Sequence, residues 1–317
     1  MNHADLPFSS ALVTGGAGFV GSHLADRLKA LGLRTSILDN FSSGFEKNIP
    51  KGVTVFRGDV RDTRMVHRAA KGVDIIFHLA EYIPNRPGHV IRFSAENPNK
   101  DLGVCVGGTV NALEEARKND AHFVMASTAA VYGSHKYPVR ENFALKPISP
   151  YGAAKLCAET YVLLYQRAYG LPVTILRLFN LYGPRQRKYL MYDCLTKLSR
   201  DRERIELLGT GQEIRDYIFI SDAIDRMIAV VGASKRQSSP IFNIGTGKGR
   251  TTKQIVEMVA RQLGANPKPV IRGNPWVGNI GKLVADMSKT ERYFAGGTTD
   301  FSESLRTLVS WFLLENP

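Results

Sequence analysis

The first 180 residues alternate short apolar runs with amphipathic ones, and no other feature restricts the fold as tightly. SALVTGG reads as a strand and turn, and FVGSHLADRLKALG as an amphipathic helix closed by Gly32. RTSILDN, VTVFRGDV, VDIIFHLA, HFVMAS and PVTILRLFN read as the next five strands. MVHRAAKG, LGVCVGGTVNALEEARKND and SPYGAAKLCAETYVLLYQRAYG read as helices between them. Strands that are apolar almost throughout, rather than at every second residue, are buried on both faces, which means a parallel sheet covered by helices. Right-handed crossovers then give a doubly wound α/β fold.

After Asn180 the rhythm breaks. LYGPRQ reads as a loop, IELLG as a short strand, RDYIFISDAIDRMIAVVGA as a strand and helix, and PIFNIGTG as one more strand. YLMYDCLTKLSRDR, TKQIVEMVARQLG and SESLRTLVSWFLLEN read as helices. The expected division is a sheet domain over 1–180, to which segments near 216–245 return. A smaller interleaved cap domain would comprise 181–215 and 246–317.

GGAGFVG, from Gly15 to Gly21, lies between the first strand and the first helix. Gly15 and Gly18 permit a tight turn and close backbone approach to a pyrophosphate; the helix start at Phe19 and Val20 offers free N–H groups to its charge. Asp39 closes the second strand about 20 residues on, the spacing of a dinucleotide site. A carboxylate there accepts ribose hydroxyls and repels a 2′-phosphate, so NAD is expected rather than NADP. Asn40, Ser43, Gly44, Val60, Leu79 and Ala80 are the further expected cofactor contacts. Asp59 either receives an adenine amino group or caps a turn.

Tyr151 and Lys155 are four apart on one helix and share a face. A phenol of pKa about 10 is a poor base at neutral pH. A neighbouring ammonium and a positive nicotinamide would favour its phenolate. Thr128, at the fifth strand's end, can bond the same substrate hydroxyl.

At these residues the chain resembles the extended short-chain dehydrogenase/reductases, the NAD-dependent sugar-nucleotide epimerases and dehydratases. The motifs are TGGAGFVG, GDVRD, FHLA, STAAVYG, PYGAAK, RLFNLYGP, GTGQEIRDYIFISD and FNIGTG, in the family's order. The resemblance implies that Tyr151 removes a sugar hydroxyl proton while NAD takes the hydride from the same carbon, and that Lys155 holds the nicotinamide ribose. It also implies that Asn180 and Arg215 contact the substrate diphosphate, with Arg272 a further candidate. An arginine suits that task because it binds phosphate oxygens bidentately; an ion pair with Asp216 or Glu213 is the plainer reading of Arg215.

The chain departs from the family at two places. Glu81 follows Ala80 where relatives resemble a pair of small residues, and Cys105 stands where a helix asparagine is usual. Thr128 is followed by Ala129 and Ala130, not by the acid pair of the 4,6-dehydratases. If Glu81 and Cys105 supply an acid and a base, a dehydration becomes possible; the resemblance then implies oxidation at C4, loss of water across C5–C6 and return of the hydride to C4, with UDP-N-acetylglucosamine as the expected substrate. The alternatives are a UDP-hexose 4-epimerase and, on the same fold, a non-catalytic NAD-sensing protein. For Glu81 the plain readings are a solvated loop residue or a pair with Arg86; for Cys105, helix packing.

The remaining composition bears on partners. A net charge of +13 is carried by dispersed basic residues, which suits small phosphorylated ligands or a generally basic surface more than nucleic acid. Cys105, Cys157 and Cys194 are scattered, which argues against a disulfide frame or a zinc site. No signal segment or membrane-spanning run is evident, so a cytoplasmic protein is expected. The helices over roughly 100–118 and 150–169 are where relatives dimerise, and a homodimer is expected.

Overall fold

Seven strands pair in parallel to form the main sheet of the computed structural model, which describes residues 6–85, 88–136, 138–233, 239–273, 279–294 and 296–316. In chain order the first half runs β1 Ser10–Thr14, α1 Phe19–Ala30, β2 Arg34–Asp39, β3 Thr54–Arg57, α2 Thr63–Ala70, β4 Ile75–His78, α3 Val90–Glu96 and α4 Pro98–Leu102. A π-helical turn, Gly103–Gly107, leads into α5 Gly108–Lys118, followed by β5 His122–Thr128, α6 Pro150–Tyr169 and β6 Val173–Leu178. The second half runs β7 Asn180–Tyr182, α7 Tyr189–Arg200, β8 Arg204–Leu208, β9 Ile214–Phe219, α8 Ile220–Gly232, β10 Ile241–Ile244, β11 Gly249–Thr251, α9 Thr252–Gln262, β12 Lys268–Arg272, β13 Lys282–Leu283 and α10 Phe301–Glu315.

The sheet order β10-β6-β5-β4-β1-β2-β3 reverses between β1 and β4. In such sheets the crevice beyond the strands' C-terminal ends, at the reversal, receives the ligand. Central strands carry buried residues throughout, as every residue of β1 and β4 shows. Helices bury both faces: one core joins Leu12, Ile76 and Phe123 to α2, α5 and α6, and the other joins Val13, Phe77 and Val124 to α1 and α8.

Four details differ from the sequence reading. β9 does not return to the main sheet; it joins β7, β11 and β13 in a second, four-stranded sheet, and only α8 and β10 return. LYGPRQ begins with strand rather than loop, because β7 pairs with β9 from Asn180 to Tyr182. A two-stranded sheet of β8 and β12 completes this half. The long helix expected over 102–120 is widened by the π-turn at Gly103–Gly107, where glycines at both ends weaken helical preference.

Candidate active site

The glycine loop and the end of β4 meet at the sheet reversal. Thr14 fastens them. Its Oγ1 accepts the backbone N–H of Leu79 and of Ala80, each at 3.2 Å, and shares a hydrogen bond with His78 Nδ1 at 2.9 Å. The other ring nitrogen, Nε2, is buried and has no hydrogen-bond partner among the described residues. Burial, with help from the Lys155 charge, pushes His78 down to about 3, so the ring is neutral. Gly15 has φ +71°, and a Cβ there would lie 3.0 Å from Ala80 N. Only glycine fits that turn against that strand.

The loop fits a dinucleotide. Gly18 caps α1 with no side chain over the helix N–H groups, and the first turn carries no acid, so the positive end of the helix is open to phosphate. Phe19 and Val20 begin that turn, partly buried. Asp39 is buried at the end of β2, where it accepts Ala17 N at 2.9 Å and Phe41 N at 2.8 Å. Burial raises its carboxyl above the ordinary value, against those two bonds. Gly44 packs on Ala17, where a Cβ would meet the Ala17 Cβ at 2.7 Å, and Ser43 precedes it, half-buried. Asn40 donates to Asp59 at 2.9 Å, and Arg61 grips the same carboxylate through Nε and Nη2. These bonds, chiefly the one from Arg61, hold Asp59 down to about 2. Val60 is buried, its carbonyl accepting from Asn111 at 2.9 Å.

Tyr151, Lys155, Thr128, Glu81 and Cys105 come together at the next strand ends. Ser149 caps α6 by accepting Gly152 N at 3.1 Å, with Pro150 in the first turn. Gly152 lets this end of α6 sit close on the β5 exit, since a Cβ there would meet Ala130 O at 2.9 Å. Tyr151, in that turn, faces Thr128, whose hydrogen bond favours its ionisation. Lys155 Nζ is buried one turn on, donating to Ala126 O at 3.0 Å.

The second contact of Lys155 is the acid. Glu81 Oε2 lies 2.6 Å from Nζ, with side chains only 9% and 6% exposed; its Oε1 accepts Tyr82 N at 2.9 Å. Glu81 is therefore no solvated loop residue, and Arg86 lies outside the described residues. Lys188 donates to the Pro84 carbonyl and ties this loop to the start of α7. Cys105, on the π-turn, is buried in the core with Ala154 and Ala158 of α6. Burial pushes its thiol up, away from neutrality, which is the opposite of the tuning an acid–base cysteine needs.

Two side chains of this cluster escaped the sequence reading. Asp101 of α4 is 1% exposed. One of its oxygens accepts the Ser94 hydroxyl at 2.5 Å and the other has no hydrogen-bond partner among the described residues. Burial, together with the Glu81 charge, raises its carboxyl to about 6. Tyr189 opens α7 at φ +71°, a strained conformation for a bulky residue. Its ring meets His89 edge-on at 5.0 Å, and its phenol repels the ionised forms of Tyr151.

A cation, Arg215, stands near His89. Arg215, on β9, is partly buried. Its guanidinium donates to Ile214 O at 3.0 Å and to Asn279 Oδ1 at 3.3 Å, and among the described residues it enters no ion pair. Asp216, the sequence's alternative partner, instead accepts from Thr246, Gly247 and Ala285. Asn180 lies on the neighbouring strand and donates to Asp216 O at 3.2 Å. A cation left with only neutral acceptors suits an anionic ligand. Arg272 is elsewhere engaged: exposed at the end of β12, it pairs with Glu206 at 2.9 Å.

A family model described as the NAD dependent epimerase/dehydratase family matches residues 11–245. A UDP-glucose 4-epimerase of Streptomyces lividans is 32% identical over 278 residues, covering 82% of this chain and 82% of that protein. The Thermus thermophilus UDP-glucose 4-epimerase, solved in complex with NAD, superposes with a TM-score of 0.84 at 31% identity, covering 96% of this chain and 99% of that one. A UDP-N-acetylglucosamine 4-epimerase of Methanobrevibacter ruminantium, in complex with UDP-N-acetylmuramic acid, gives 0.86 at 26%, covering 97% and 99%. The chain belongs to the NAD-dependent epimerase/dehydratase family, and its cofactor is NAD.

Proposed function

We propose that this member of the NAD-dependent epimerase/dehydratase family is a UDP-hexose 4-epimerase. The observation that carries the reading is the 2.6 Å contact of Glu81 with Lys155. Elimination across C5–C6 needs an acid and a base free to reach the sugar, beyond the group that oxidises C4. Here the carboxylate is tied to an ammonium, the neighbouring thiol is held protonated by burial, and Ala129 and Ala130 stand after Thr128. The Thr128–Tyr151 pair remains, and it is what a 4-epimerase requires. The named relatives point the same way.

Bound NAD would supply the acceptor and donor of the C4 hydride. Tyr151 takes the proton of the C4 hydroxyl, which Thr128 orients by hydrogen bonding, and returns it to the C4 oxygen once the keto sugar has turned and presents its other face for reduction. Asn180 and Arg215 hold the diphosphate while the sugar turns, and the nucleotide lies against a cap drawn from 181–215 and 246–317. In this reading Arg272 takes no part.

One observation favours a second reading. Glu81 does lie beside Tyr151 and Lys155, where a base for C5 would be needed. If NAD and substrate draw Lys155 away, the freed carboxylate could remove the C5 proton, giving the 5,6-ene of UDP-N-acetylglucosamine, as in the tunicamycin-pathway dehydratase the two departures resemble. Mass spectrometry decides between them. Purified protein incubated with UDP-glucose or UDP-N-acetylglucosamine, without added reductant, should give a product of unchanged mass that separates from the substrate on chromatography. Loss of one water would replace the epimerase reading by the dehydratase one.

A further inference from the structure

Glu81 sets a problem for the base it adjoins. A tyrosine serves as base because an ammionium one turn away makes its phenolate affordable in a buried site. In this chain that ammonium already has a counter-ion. Lys155 and Glu81 are both nearly excluded from water, their charged atoms are 2.6 Å apart, and in such surroundings the two charges largely cancel for a third group nearby.

We propose that Glu81 is a positioning residue that cancels the Lys155 charge, so that Tyr151 gives up its proton only when the positively charged oxidised cofactor enters the site. The inference rests on the reading of Tyr151 as the base beside the nicotinamide. The step is a simple ionisation: the Tyr151 O–H bond breaks, the proton passes to solvent, and the phenolate faces the nicotinamide cation.

Every charged or titratable neighbour of Tyr151 bears on this. Lys155 follows it on α6, Thr128 faces it from β5 and Tyr189 from α7, and Glu81 reaches it from the loop after β4. Behind the ion pair stand Cys105 on the π-turn and Asp101 on α4, both coupled to Lys155 and Glu81. Among these described residues only Lys155 is cationic. Burial raises the Tyr151 phenol, and Glu81 works in the same direction against Lys155. Asp101, raised to about 6 by burial and by Glu81, is ionised at and above neutrality and then adds a second negative charge behind the ion pair. The site without cofactor therefore holds a neutral tyrosine.

The test is a tyrosinate absorbance titration of the cofactor-free protein, with a Tyr151→Phe control subtracted to isolate this residue. Glu81→Gln should lower the Tyr151 step by about 1–3 pH units, the reach of one nearby charge. Lys155→Met should raise it. Adding Glu81→Gln to Lys155→Met removes the carboxylate that the single lysine variant leaves without its counter-ion and should bring the step down again, so the idea stays testable even if the single Glu81 variant fails to fold. A step unmoved by loss of Glu81 in either background overturns the proposal. Calorimetry of NAD binding in two buffers of different ionisation enthalpy gives a second readout: wild type should release a proton on binding, and Glu81→Gln should release less. Equal release from both would also overturn it. If NAD does not bind at all, the functional reading falls, while the cofactor-free titration still judges the role of Glu81.

Discussion

Asp101 shows how a single residue can carry an energetic cost that no sequence pattern announces. Nothing in KDLG marks it out, yet it is buried with one oxygen lacking a hydrogen-bond partner among the described residues. Its carboxyl is raised to about 6 from 3.8. The folded state therefore holds a proton that the unfolded chain has lost, and stability falls as pH rises between those two values, the full cost being present above the higher one. Asp101→Asn removes that cost. Measured by urea unfolding, the variant should gain on wild type by up to about 3 kcal/mol on going from pH 4 to pH 8. Tyr151→Phe, by contrast, should leave unfolding nearly unchanged and lower turnover by about 10²–10⁴-fold, the range for loss of a general base. The spacing of Tyr151 and Lys155 was legible because a helix repeats every 3.6 residues. The partner of Glu81 was not, since 74 residues of chain separate it from Lys155 and only the packed fold joins them.

Elements place these residues, and their ends matter more than their middles. α6 presents Tyr151 in its first turn, where Ser149 supplies the cap and Gly152 the close approach to the β5 exit. Ser149→Ala should cost about 1 kcal/mol of stability and Ser149→Gly only a few tenths. Because fraying would displace Tyr151 before it reached Lys155, turnover should fall further for Ser149→Ala than for Ser149→Gly. Paired denaturation and steady-state measurements check both. At this scale the parallel strands and the glycine loop were readable, since continuous apolar runs and a glycine cluster each have one economical physical explanation. The π-turn escaped because one widened turn barely alters the hydrophobic period. β11 and β13 escaped because strands of three and two residues carry too little pattern to recognise.

For the whole molecule, two features remain outside the site. Tyr161 and Leu164 are exposed along α6, three residues apart and so on one face of the helix. The expected homodimer would cover them; light scattering should give twice the chain mass, and Leu164→Glu should give a single one. The other feature is a polar network inside the core. Arg177, 1% exposed, grips both oxygens of Glu159 at 3.0 and 2.7 Å and donates to Tyr132 at 3.0 Å. Tyr132 donates in turn to Asn243 at 2.7 Å, and Ser127 to Glu159 at 2.5 Å. The network joins α6 to β5, β6 and β10, and so holds the helix bearing Tyr151 to the sheet bearing Thr128. Glu159→Ala should lower the denaturation midpoint by the equivalent of about 3–5 kcal/mol, because it strands a buried cation. Such a set cannot be altered one member at a time without passing through an unstable protein. Its history should therefore be one of inheritance in a block: descendants that keep Arg177 should keep Glu159, Tyr132 and Asn243, and lineages that lost one should have replaced them together.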